Sequence, residues 1–159
     1  SFNSEVCVIG DGTQDPQIIS GDKLNDYDYL VKNGHEQGNL RMTKKINESK
    51  KLLTDKLMSL EETGPTALGP ALLTGIAMAA EGAPGSQVTL CTDGLANIGI
   101  GNFDDAKDQD QMAKVKEFYE RAGQYAKSKG LTINIVSIIA DECDLETLSQ
   151  LAELTGGEV

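Results

Sequence analysis

The sequence predicts an α/β fold of the doubly wound class, a mostly parallel sheet flanked by helices. Three observations carry that expectation. Residues 88–92 and 131–139 are short, continuously apolar runs rich in Val, Ile and Leu, the pattern of strands buried on both faces. Helix-period segments lie between and after them, and strands alternating with helices imply a parallel sheet covered by its crossovers. Aromatic residues make up only 4% of the chain and hydrophobic residues 39%. Such a core is built from Leu, Ile, Val and Ala, as between a sheet and its helices.

Taken in order, residues 5–9 read as a strand enriched in Val and Ile, followed by a Gly10-Asp11-Gly12-Thr13 turn. Residues 17–19 read as the returning strand of a hairpin. The stretch 21–38 is polar and irregular, a surface connection with one short helical turn near residues 27–31. Residues 40–62 are helical by period, with Met42, Ile46, Leu53, Leu57 and Leu60 recurring between Lys and Glu. Gly64 and Pro65 stop that helix. A second helix over residues 68–81 has almost no polar face and is expected to be buried. Gly and Pro at residues 82–85 end it. The first apolar strand and a Gly-rich loop, residues 94–101, come next, then a helix over residues 105–129 with Met112, Val115, Tyr119, Ala122 and Ala126 in one stripe. After the second apolar strand, Asp144 is placed to cap a helix whose leucines at 145, 148, 151 and 154 face the core. Gly156-Gly157 ends it, and Glu158-Val159 reads as the start of another strand.

The length of 159 residues fits one domain. A net charge of −11 argues against nucleic acid, whose phosphates call for clustered Lys and Arg, and against an anionic membrane surface. No run of about twenty apolar residues supplies a membrane span. Cys7, Cys91 and Cys143 are odd in number and far apart, so they form neither a metal pattern nor a complete disulfide set; reduced thiols, and with them a cytoplasmic location, are expected. Cys91, inside an apolar strand, is expected to be inert.

In such a sheet, ligands bind beyond the carboxyl ends of the strands, on loops leading into helices. Two segments have that position: the tight entry Gly64-Pro65-Thr66 into the buried helix, and Asp93-Gly94 with Asn97, where a strand ends in a carboxylate. The pair TGPTALGPAL and TDGLANIG, with the closing LSQLAELTGG and the opening FNSEV, resembles the von Willebrand factor type A family over nearly the whole chain. The likeness is nearest to the intracellular types, such as those accompanying circularly permuted Ras-like proteins. That resemblance implies a metal-ion-dependent adhesion site. Thr66 would give a hydroxyl and Asp93 a carboxylate to Mg²⁺, Mn²⁺ or Ca²⁺, and Gly64, Pro65, Gly94 and Asn97 would form a partner-binding rim. Oxygen donors, one charged and one neutral, suit these cations and leave positions open for a carboxylate from a protein partner.

The departure from the family is the DxSxS motif on its first strand, which occurs nowhere in this sequence. The first strand, the helix after it, most of the second strand and the body of the last strand have no counterpart, so the domain is expected to be incomplete at both ends. A missing central strand would leave a long apolar slot with unpaired backbone groups. A preceding segment or a strand-swapped copy would complete the sheet, and metal occupancy in this chain by itself is expected to be reduced.

Plainer readings stand beside these. Asp93 can be a turn-forming Asp-Gly, and Thr66 can cap the helix that follows it. Asp104, Asp105, Asp108 and Asp110 lack the Gly and distal Glu of a calcium loop and read as a solvated helix start. Neither a dinucleotide fingerprint nor a phosphate-binding loop motif is present. His35, the one histidine, sits in the polar stretch without a neighbouring nucleophile. The function expected is therefore a non-enzymatic protein-binding module using a divalent cation. A metal-independent scaffold of the same fold is the alternative, and a doubly wound hydrolase ranks last.

Overall fold

The computed structural model describes residues 1–60, 64–93, 95–104, 106–138 and 145–159. Along the chain run β1 (Val6–Val8), β2 (Gln17–Ile19), a 3-10 turn (Gly21–Asn25), α1 (Tyr27–Arg41), α2 (Ile46–Met58), α3 (Leu68–Ala79), β3 (Gln87–Thr92), α4 (Gln109–Ser128), β4 (Thr132–Ser137) and α5 (Leu145–Thr155). The chain is thus mixed α/β. Its two apolar runs pair in parallel, from Gln87 opposite Thr132 to Thr92 opposite Ser137. β1 and β2 form the antiparallel hairpin, with Cys7 opposite Ile18. The described strands make two separate two-stranded sheets, where the sequence led us to expect one wider sheet.

α3 is the centre of the core. Leu68, Leu72, Leu73, Ile76 and Ala77 are buried, as its unbroken apolar character requires. α1 covers it, which corrects the reading of residues 21–38 as an irregular connection. Asp26 caps α1 by accepting from the Tyr29 amide, and the helix then runs unbroken to Arg41. Its contact face escaped the pattern because glycines make it. A Cβ on Gly34 would sit 2.5 Å from the Ala77 Cβ, and one on Gly38 would sit 2.7 Å from the Met78 carbonyl. Two glycines four apart share one helix face and let the backbones approach closely. No large apolar side chain marks the interface.

The helix expected over residues 40–62 is a second correction. Leu40 and Arg41 close α1, and α2 begins only at Ile46. Its apolar stripe is present but largely uncovered: Ile46 is 69% exposed, Leu57 58% and Met58 84%. α2 is tied in at its start by Asp11. One carboxylate oxygen accepts from the Thr43 amide and hydroxyl and the Lys44 amide, and the other from the Thr13 amide and hydroxyl. The Thr13 hydroxyl and amide, then the Thr43 and Lys44 donors, hold this carboxyl well below the usual range. The expected hairpin turn is thus also a buried anchor.

α4 begins at Gln109, later than expected, with Asp108 capping it through the Gln111 amide. Val115, Phe118, Tyr119, Ala122 and Ala126 are buried on its inner face, and Leu148 and Leu151 of α5 are buried on the same side of the core. Beyond α5, Glu158 accepts from the Ile135 amide, so the chain starts along β4 as the sequence suggested without forming a strand there. The expected strand end at residue 139, Cys143 and the Asp144 cap lie outside the described residues, as do Gly94 and Asp105. Among the described residues, no helix is long and apolar enough to cross a membrane.

Candidate functional site

The carboxyl end of β3 and the entry to α3 meet at one cleft of about 660 Å³. Gly64, Pro65, Thr66 and Asp93 all line it, together with Asn3, Leu57, Leu60 and Cys91. The two expected metal donors, separated by 27 positions in the chain, therefore line the same concave surface. Asp93 is exposed at the strand end and Thr66 half-buried.

Asn97 takes a different place. Its amide donates to the Thr66 carbonyl at 3.1 Å, and its side-chain oxygen accepts from the Thr66 amide. This two-way clamp fixes the α3 entry loop to the loop after β3. Asn97 thus positions Thr66 and does not line the cleft. The loop is locked further by close packing at Gly69, where a Cβ would lie 2.0 Å from the Ile100 carbonyl oxygen. The Tyr119 hydroxyl donates to the Gly101 carbonyl at 3.0 Å, and Phe103 stacks on the Tyr119 ring at 5.4 Å.

Thr66 does not cap α3, which corrects the plainer reading of that residue. Ala67 holds the N-cap position and no side chain caps it. The Ala67 amide instead donates to the Asn3 carbonyl at 2.8 Å. Asn3 is therefore part of the cleft wall and of its scaffold, a role its place in the opening FNSEV segment could have hinted at. The hydroxyl of Thr66 makes no capping bond, so it is not committed to the helix.

The chemistry of this donor set fits an oxygen-seeking cation only in part. A hydroxyl and a carboxylate are the right types for Mg²⁺ or Ca²⁺, yet these cations take six or more oxygen ligands. Among the described residues, no group of three or more His, Cys, Asp or Glu could hold a metal ion. Thr66 and Asp93 are two corners of a site that needs further donors.

Two other expectations change. Cys91 lies in β3 as expected, but its side chain is exposed in the cleft and not enclosed in the strand. His35 is a residue of α1, not of a loop. Its Nδ1 meets Glu81 just beyond α3, and its Nε2 meets the Tyr125 hydroxyl of α4 at 2.5 Å. Asn39 donates to the second Glu81 oxygen at 2.7 Å. The bonds from His35 and then Asn39 lower the Glu81 pKa, while burial chiefly raises that of Tyr125. This network ties three helices together, and none of its members lines the cleft.

The chain is 34% identical over 161 residues to circularly permutated Ras protein 1 of Dictyostelium discoideum, a match spanning 100% of this chain. It covers 18% of that relative's length. The likeness agrees with the sequence resemblance to domains that accompany circularly permuted Ras-like proteins. No family model matches the chain.

Proposed function

We propose that this chain is a protein-binding module of the von Willebrand factor type A kind, a doubly wound α/β domain gripping a partner's carboxylate through a divalent cation. The observation that carries the reading is the convergence of Thr66 and Asp93 on one cleft at the carboxyl end of β3, where ligands of such sheets bind. Thr66 and Asp93 would hold the cation, which would supply a positive charge and open coordination positions for the incoming carboxylate. Asn97 keeps Thr66 in place through its clamp, and the α3 N-terminus adds a favourable dipole for an anionic ligand. The remaining ligands would come from water and from the partner. The free thiols of Cys7 and Cys91 support a cytoplasmic setting.

A metal-independent scaffold is the second reading. What favours it is the Thr66–Asn97 clamp, which orders the rim with no help from an ion. Titration with Mn²⁺, followed by water-proton relaxation, separates the two. Metal-dependent function requires saturable binding that disappears in Asp93→Ala and weakens in Thr66→Ala. Identical relaxation curves for the parent chain and Asp93→Ala would overturn it and leave the scaffold reading.

A further inference from the structure

Residues 41–58 reverse the charge of the chain around them. Arg41, Lys44, Lys45, Lys50, Lys51 and Lys56 stand there against two acids, Glu48 and Asp55. This segment, α2 and the turn leading into it, thus carries +4, and with a net charge of −11 the rest of the chain carries −15. Among the described residues, none of these five lysines is in an ion pair. Apolar side chains crowd into the same stretch, where Ile46 and Met58 stand in water.

The helical period sorts these residues. Ser49, Leu53 and Lys56 share the face turned into the protein, with Ser49 buried and the other two half-buried. The exposed remainder holds two rows: Ile46 with Lys50 one turn on, and Lys51 with Met58 two turns on. Cations and apolar side chains therefore interleave over the exposed surface and do not segregate to opposite sides. None of these four residues lines the Thr66–Asp93 cleft, and none lines a second concavity beside β3, which Leu53 and Leu57 do line. The exposed face of α2 is separate from both.

We propose that this face of α2 docks an acidic, amphipathic segment of a protein partner. The partner's carboxylates meet Lys50 and Lys51, and its apolar residues cover Ile46 and Met58. Charge complementarity selects this occupant. Unpaired cations draw an acidic partner in and fix its register, while the apolar contacts supply the burial. A nucleic-acid backbone offers nothing to Ile46 and Met58. An anionic bilayer takes helices with apolar residues on one side and Lys and Arg on the other. The interleaved face fails that requirement, and the −15 elsewhere opposes approach to such a surface. Two copies joined symmetrically through α2 would set Lys against Lys.

Fluorescence anisotropy of a dye-labelled synthetic peptide, with Leu and Glu alternating at helical spacing, reads the docking on the whole chain in chelator. Chelator keeps the peptide's carboxylates from a cation in the Thr66–Asp93 cleft, so the outcome is independent of the metal site. The control is an all-Glu peptide of the same length. The Leu-Glu peptide should bind saturably and about tenfold more tightly than the control. The double variant Lys50→Glu, Lys51→Glu should weaken that binding by about tenfold or more, and Met58→Ser by about threefold. All three positions are exposed, so loss of the fold does not imitate loss of docking. No saturable binding, equal affinity for the all-Glu peptide, or unchanged affinity in the double variant would overturn the proposal. So would co-sedimentation with phosphatidylserine vesicles that the double variant loses, which would make a membrane the occupant. A dimer mass lost in the same variant would overturn it too, in favour of a second copy.

Discussion

α2 carries one apolar stripe between Lys and Glu, α3 is apolar almost all round, and the two meet opposite fates. In α3, Leu73 and Ile76 are fully buried against α1 and the sheet. In α2, Leu57 and Met58 stand in the open, with Leu53 and Leu57 turned to an apolar slot. A helical stripe states which face gains from leaving water, about 25 cal/mol per Å² of apolar area. It does not state what covers that face. α3 has its cover within the chain, in the glycine face of α1; α2 is anchored at one end by Asp11 and lacks cover along its length.

Three substitutions break or sharpen that contrast. Ile76→Ala deletes buried atoms from α3 and should lower stability by about 2–5 kcal/mol, read from the urea midpoint at constant slope. A loss below about 1 kcal/mol would mean that α3 is not the core helix described here. Asp11→Asn should have the next largest effect, because an amide nitrogen cannot accept from the Thr43 and Lys44 donors that fasten α2. The folded carboxyl titrates below its unfolded value, so its contribution is complete above the ordinary Asp value of about 3.9 and is lost as pH falls toward the folded value. The midpoint gap between parent and variant should therefore be open at neutral pH and narrow in acid. A gap that widened in acid would reverse the assignment. Leu57→Ala should be the smallest, within about 0.5 kcal/mol, since its side chain already meets water. A loss as large as that of Ile76→Ala would show that α2 is covered in solution.

Much of the site was legible in the sequence because it depends on local chemistry. A strand ending in Asp93 and a tight Gly-Pro-Thr entry to an apolar helix predict two loops on the same side of a parallel sheet. The structure brings Thr66, Asp93, Gly64 and Pro65 to one cleft. The family resemblance put Asn97 on the rim; its clamp on Thr66 spans 31 positions and leaves no periodic trace in the sequence. His35 was read as a loop residue for a related reason: α1 packs through Gly34 and Gly38, and glycines normally signal the absence of a helix.

By itself, then, the sequence determined the hairpin, the buried α3, the parallel partners β3 and β4, and the residue types at the end of β3. Each of these follows from short-range periodicity, turn chemistry or capping. Only the tertiary structure decided that α1 is a helix, that Asp11 is an anchor, that Cys91 is exposed, and that α2 faces an open slot. Those features depend on which surfaces meet across distant parts of the chain, and close backbone approach leaves no apolar signature to read.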